Sequence, residues 1–154
     1  MAITYLAHTA LACADLEASI AFYGKLGLNE AFRLTRDDGS TMLVYLHVSG
    51  DRFIELFPGG PEPSTRAGKE AISYRHICLM TDDIGADVER LRAAGVTIDR
   101  EVAFGRDSNK QACIADPDGN PIELMQISSI SPERAVAEGR EPVVPDAETL
   151  ATLK

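Results

Sequence analysis

Cysteine is scarce in this sequence, and the three that occur are not arranged as a disulfide or zinc framework. Cys13, Cys78 and Cys113 are odd in number, and no two of them form a CxxC pair. This usage is typical of reduced, mostly buried thiols in a cytoplasmic protein. Cys78 could line a pocket, but a buried structural thiol is the favoured interpretation.

Long apolar runs and basic clusters are also missing. No stretch is long enough to span a bilayer, and the N-terminal MAITYLAHTALACADL lacks a basic leader, so we expect neither a membrane partner nor a signal peptide. Lys and Arg number 15 against 24 Asp and Glu, and the formal net charge of -9 disfavours nucleic acid as a partner. We therefore expect a cytoplasmic protein with neither a membrane nor a nucleic-acid partner.

What the sequence does contain is an internal repeat with an offset of 68 residues and no gap. The offset superposes His8 on His76 and Glu55 on Glu123. It also superposes Leu11 on Leu79, Asp15 on Asp83, Ala18 on Ala86 and Gly27 on Gly95. Such a period indicates duplicated structural units. A pseudo-twofold axis between the units would bring both His-plus-Glu pairs to one point.

The predicted strands and helices repeat with the same offset. Each module begins with an alternating strand, at 3–13 and 73–81, followed by a helix that starts at an Asp cap and ends at a Gly. Three further strands follow in each module, at 30–37, 41–49 and 52–57, and then near 96–103, 110–115 and 121–127. This order predicts an α+β fold of two tandem βαβββ modules, with a curved eight-stranded mixed sheet (an open barrel) around a metal site.

The domain organisation follows from the repeat and from the length of 154 residues. Modules of about 55 residues are too small to bury separate cores, so they should share one. We expect a single domain over residues 1–128, made of modules 3–57 and 71–128 joined by a Pro- and Gly-rich linker at 58–70. The tail at 129–154 lies beyond the repeat and is predicted to form one or two short helices.

Four side chains are candidate ligands of one divalent metal ion: His8, Glu55, His76 and Glu123. Strand parity places Glu55 on one face with Phe53 and Phe57, and a carboxylate among apolar side chains is costly to bury without a partner. For any one of the four residues a hydrogen-bonded or edge-exposed side chain is the simpler interpretation, but the common offset favours a metal site. Imidazole and carboxylate suit Ni, Zn, Co, Mn or Fe as divalent ions and do not choose among them.

His47 is set apart from these candidates because its repeat partner is Ala115. We interpret it as an ordinary strand or turn histidine.

The duplicated pattern with these four residues resembles the vicinal oxygen chelate superfamily, which includes glyoxalases, bleomycin resistance proteins and dioxygenases. The resemblance rests on HTALACADLEASIAFYGKLGL, FIEL and DPDGNPIEL, and it covers residues 3–128. The His/Glu/His/Glu set is similar to that of glyoxalase I (lactoylglutathione lyase), whereas extradiol dioxygenases and fosfomycin-resistance proteins use two histidines and one glutamate.

This resemblance implies a metal-dependent glyoxalase-like isomerase or lyase that acts on a small substrate with vicinal oxygens through an enediolate intermediate. It implies Glu123 as the catalytic base, Glu55 as its counterpart, and a homodimer whose sites lie within one chain or are shared between chains. The alternatives are a metal-dependent epimerase or dioxygenase of the same superfamily and a non-catalytic, resistance-type binding protein. The substrate, and whether a thiol such as glutathione takes part, stay open.

Overall fold

The computed structural model describes residues 6–63 and 74–152. By their internal contacts these residues fall into two units, one formed by 6–63 with 116–120 and the other by 74–115 with 121–152. The predicted strand starts at 3 and 73, most of the linker 58–70 and the last two residues of the tail lie outside the described residues.

The first unit contains one helix and four strands: β1 (His8–Cys13), α1 (Leu16–Lys25), β2 (Glu30–Thr35), β3 (Thr41–Ser49) and β4 (Arg52–Pro58). The strands form a mixed sheet in the order β1-β4-β3-β2, in which β1 and β4 are parallel and the other pairs antiparallel. Ile54 and Leu56 are buried together with Tyr23 of α1, which packs against β4. Glu55, between them in the sequence, therefore points to the opposite face of the sheet.

The second unit repeats this order and adds two short helices: β5 (Ile77–Met80), α2 (Ile84–Ala93), β6 (Arg100–Phe104), β7 (Lys110–Ala115), β8 (Pro121–Gln126), α3 (Pro132–Ala137) and α4 (Ala147–Ala151). Its sheet has the order β5-β8-β7-β6, with β5 and β8 parallel. Val88 and Leu91 of α2 are buried with Ile114 and Ile122 of the sheet. Helices α3 and α4 confirm the prediction of one or two short helices in the tail.

The same capping chemistry begins both long helices. The Asp15 carboxylate accepts a hydrogen bond from the Ala18 N–H at 3.0 Å, and the Asp83 carboxylate accepts one from the Ala86 N–H at the same distance. Both helices end before a glycine with positive φ, as predicted from the sequence. The duplication therefore extends to the details of helix initiation and termination.

A turn at Asp116-Pro117-Asp118-Gly119 is part of the first unit. Asp118, which is 3% exposed, accepts hydrogen bonds from the Ala14 N–H at 3.0 Å and from the Ser19 hydroxyl at 3.4 Å. Asp116 accepts one from the buried Tyr23 hydroxyl at 3.1 Å. These contacts satisfy two buried carboxylates and anchor the turn beside α1.

The α+β class and the tandem βαβββ order are confirmed, and the eight strands form two open four-stranded sheets, one in each unit. Strand β6 begins at Arg100 and not near residue 96. The reason is that the Val96 N–H caps α2 by donating to the Leu91 carbonyl at 2.9 Å, so it cannot join a strand ladder. In the part of the chain that the structure describes, no helix is long and apolar enough to cross a membrane.

Candidate metal centre

The first unit brings together one imidazole and one carboxylate of the predicted ligand set. His8 is the first residue of β1 and pairs in register with Phe53, while Glu55 lies at the centre of β4. His8 Nε2 is 3.8 Å from Glu55 Oε2. Because ligand atoms stand about 2.1 Å from a shared ion, a small rotation would bring both atoms to coordination distance. The donor chemistry and spacing of this pair fit a divalent metal ion.

Burial makes Glu55 the more constrained member of the pair. Glu55 is 7% exposed, whereas 51% of the His8 side chain is accessible. Tyr45 lies directly opposite Glu55 on β3, and its hydroxyl faces the Glu55 carboxylate. Interaction with this carboxylate raises the pKa of Tyr45, so the phenol stays protonated and able to donate at neutral pH. Tyr45 is thus the side chain placed to donate a hydrogen bond to this buried carboxylate.

An aromatic cluster, formed by Phe32, Tyr45 and Phe53, lies beside this pair. The rings of Phe32 and Tyr45 stack with centroids 4.4 Å apart, and Phe53 meets Tyr45 edge-on at 5.9 Å. Phe32 remains 46% exposed. The cluster therefore presents an apolar surface to which a flat apolar group can bind next to His8 and Glu55.

In the second unit Glu123 lies in a row of four cross-strand neighbours. Glu123 pairs in register with Cys78 of β5 on one side and with Cys113 of β7 on the other. Arg100 of β6 pairs with Cys113, and its guanidinium lies 3.6 Å from Glu123 Oε2. The Glu123 side chain is 15% exposed. The second glutamate therefore has an arginine partner instead of a tyrosine.

The cysteines are free thiols, but one expectation about them is wrong. Cys13 is buried and Cys113 is partly buried, whereas Cys78 is exposed, so it is not the buried structural thiol that the sequence favoured. Burial, and after it the charge of Glu123, raise the pKa of Cys78 to about 12, which makes its thiol a weak nucleophile at neutral pH.

His76 lies immediately before β5, at the position that corresponds to His8, and it is exposed. Extending the pairing of Ile77 with Ile122 by one residue sets His76 beside Pro121, the counterpart of Phe53. Over residues 6–63 and 74–152, no three His, Cys, Asp or Glu side chains are grouped closely enough to hold an ion. The structure thus pairs His8 with Glu55, and the site of four ligands stays a prediction.

Two neighbours of the glutamates could not be recognised from the sequence. Tyr45 and Arg100 carry no motif, and they became visible only through the strand registers that place them beside Glu55 and Glu123. His47, in contrast, behaves as predicted, because its Nε2 lies 3.0 Å from the Gly50 carbonyl oxygen in the turn that follows β3.

Comparison with known proteins agrees with this fold. Two tandem βαβββ units define the class of fold, and the model of the Glyoxalase/Bleomycin resistance protein/Dioxygenase superfamily matches residues 5–124. The chain belongs to this superfamily, and the resemblance noted in its sequence is confirmed.

Individual relatives cover most of the chain. Bacillus subtilis (strain 168) YwkD is 30% identical over 129 residues, which are 82% of this chain and 99% of YwkD. Lactoylglutathione lyase of Salmonella typhimurium is 30% identical over 126 residues, which are 79% of this chain and 91% of the lyase. The crystal structure of SMU.1112c is similar with a TM-score of 0.69 and 27% identity, covering 80% of this chain and 99% of its own.

Proposed function

We propose that this chain is a divalent-metal-dependent isomerase or lyase of the glyoxalase type, which moves a proton on a small substrate with vicinal oxygens. The observation that supports it most is the His8–Glu55 pair, in which a buried carboxylate lies 3.8 Å from an imidazole on one face of a sheet. The same register around Glu123 and the similarity to lactoylglutathione lyases add support.

The proposed ligands are the two His and two Glu at the 68-residue offset: His8, Glu55, His76 and Glu123. Two neutral imidazoles and two carboxylates balance the charge of a dication, and they suit Ni, Zn, Co, Mn and Fe alike. A bound dication polarises a substrate carbonyl and stabilises the negative charge that develops beside it.

The proton is moved by the chain's own carboxylates. Glu123 is the proposed base, which takes a proton from the carbon next to a carbonyl and returns it to the neighbouring carbon. Arg100, 3.6 Å from Glu123, orients this carboxylate, and Tyr45 does the same for Glu55. Arg100 and Tyr45 are thus positioning residues.

Solvent-deuterium incorporation tests this function. The substrates are hemithioacetals of methylglyoxal with several thiols, and mass spectrometry reports deuterium in the product. Glu123→Gln should lower exchange and turnover by about 10²–10⁴-fold, the usual contribution of general acid–base catalysis. Glu101→Gln, at an exposed glutamate of the same unit, is the matched control. Full exchange in Glu123→Gln with metal still bound would show that Glu123 is not the base.

A second candidate is non-catalytic binding of a flat apolar molecule, which the exposed stack of Phe32 on Tyr45 favours. This function predicts saturable ligand binding that Phe32→Ala weakens, with no deuterium exchange for any α-oxo compound tested. Exchange that depends on added metal contradicts it.

We also propose that the chain acts in the cytoplasm as a homodimer. The three unpaired thiols support the location. Analytical ultracentrifugation at micromolar concentration should give twice the chain mass of 16.6 kDa, and a species of the chain mass would overturn the dimer.

A further inference from the structure

A cavity of about 620 Å³ lies in the second unit, away from the candidate ligands. Its apolar wall includes Val102 and Phe104 of β6 and Leu150 of α4. Phe104 pairs with Lys110 on the neighbouring strand. Residues 110, 112 and 114 share one face of β7, and Cys113 beside Glu123 lies on the other. The cavity is therefore on the sheet face opposite to Glu123.

Two cationic side chains also line this cavity, Arg106 and Lys110. Lys110 Nζ lies over the Phe104 ring, 5.8 Å from its centre, so this positive charge stands at the apolar wall of the cavity. Among the ion pairs formed within residues 6–63 and 74–152, none involves either cation. The nearby Asp107 carboxylate is occupied by Asn109 and Gln111.

Such unpaired cations stand out in a chain with a formal net charge of -9. Arg33, Arg90, Arg92 and Arg140 each pair with a carboxylate of their own surroundings. A positive rim on an apolar cavity matches a ligand that has an apolar body and one anionic end. The volume also falls in the range of about 300–1,000 Å³ that small-molecule sites occupy.

We propose that this cavity binds an amphipathic carboxylate, with its apolar chain against Val102, Phe104 and Leu150. The carboxylate lies between Arg106 and Lys110, where two positive charges compensate its lost hydration. Helix α4, which follows the two repeated modules, forms one wall, so the tail contributes directly to the site. This site is independent of the proposed metal-dependent reaction.

Isothermal titration of the full-length protein with decanoate, and with decanol as the uncharged comparator, tests the proposal. Decanoate should bind saturably with one site per chain and more tightly than decanol. Arg106→Gln and Lys110→Gln should each weaken decanoate binding about fivefold, the effect of one partly exposed ion pair. Arg140→Gln removes the same charge at an exposed arginine outside the cavity and should leave binding unchanged.

Two further variants separate this site from the metal centre and from simple loss of folding. Leu150→Glu places a carboxylate on the apolar wall and should weaken decanoate binding by more than about tenfold. Glu123→Gln should have no effect on it. Circular dichroism verifies that each variant is folded. Absence of saturable decanoate binding, equal affinity for decanol, or equal losses in Arg140→Gln and Arg106→Gln would each overturn the proposal.

Discussion

Replacing Tyr45 by Phe tests whether the phenol hydroxyl supports the buried carboxylate of the proposed metal centre. The substitution removes one oxygen and keeps the ring, so the stacking on Phe32 and the edge contact with Phe53 are retained. Glu55 then loses the phenol hydroxyl that lies opposite it on β3. Because Glu55 is 7% exposed, water has little access to replace the lost donor.

The expected effect is a loss of metal affinity larger than any loss of stability. A hydrogen-bond partner that orients a ligating carboxylate typically contributes 10–100-fold to metal affinity or activity, so we expect Tyr45→Phe to raise the metal Kd by about 10–100-fold. The Tyr45 side chain is not part of the buried core. The free energy of unfolding without metal should therefore hardly change.

Tyr23→Phe is the matched control, because it removes the same atom from the same unit. The Tyr23 hydroxyl donates to Asp116 at 3.1 Å and is buried. Its loss leaves a buried carboxylate with one donor fewer and should lower the free energy of unfolding by about 1–3 kcal/mol. Metal affinity should stay at the wild-type value.

Both quantities can be measured on the same preparations. Competition with a chelating dye gives the metal Kd, and urea unfolding of the metal-free protein gives the stability. If Tyr45→Phe binds metal as tightly as Tyr23→Phe does, then Tyr45 does not orient a metal ligand and the role of Glu55 as a ligand loses its structural support.

Three further predictions concern the metal, the turn and the pH dependence of stability. His76→Ala should lose stoichiometric metal in elemental analysis, and metal retained at one ion per chain would contradict the four-ligand site. Asp118→Ala should lower the free energy of unfolding by about 2–4 kcal/mol, because the part-buried Ala14 N–H and the buried Ser19 hydroxyl lose their acceptor, whereas Asp82→Ala at an exposed site should change it by less than about 0.5 kcal/mol. Hydrogen bonding to Thr81 and to Arg90 lowers the pKa of Asp87. The ionised carboxylate should therefore add about 1 kcal/mol to the free energy of unfolding, and this amount should be fully present above the unfolded-state pKa of about 3.9. In acid unfolding, the free energy of unfolding of Asp87→Asn should accordingly be lower than that of the wild type at neutral pH. This difference should disappear as the pH falls through the folded-state pKa of Asp87.

The sequence was sufficient for the element order because local signals and the repeat agree. The Asp caps, the glycines after the helices and the alternating strands lie at the same positions in both modules, and all are present in the structure. Signals of this kind act within a few residues, so they can be recognised in a sequence without knowledge of tertiary contacts. The start of β6 could not be predicted in this way, because a hydrophobic pattern does not reveal that the Val96 N–H caps helix α2.

The neighbours of the candidate ligands could not be predicted because they depend on strand register. A two-residue turn at Gly50-Asp51 pairs Ser49 with Arg52, and continuing that register would set Leu46 opposite Glu55. A register shift between His47 and Ser49 moves the pairing by one residue and places Tyr45 there instead. A single irregularity thus decides whether the glutamate meets a phenol or an aliphatic side chain.

The two glutamates lie in equivalent registers, but their surroundings have diverged. Ala10 and Tyr45 flank Glu55, whereas the offset of 68 residues puts Cys78 and Cys113 on either side of Glu123.

The next positions outward differ just as much, because Phe32 in the first unit corresponds to Arg100 in the second. The two units therefore have His and Glu at equivalent positions, but the side chains next to Glu55 are aromatic, whereas a charged side chain lies next to Glu123. The neutral hydroxyl opposite Glu55 acts on a carboxylate through hydrogen bonding, whereas the cation beside Glu123 acts through its charge. The two glutamates are thus chemically distinct even before a substrate binds, which is the condition for one to act as the base while the other serves mainly as a ligand.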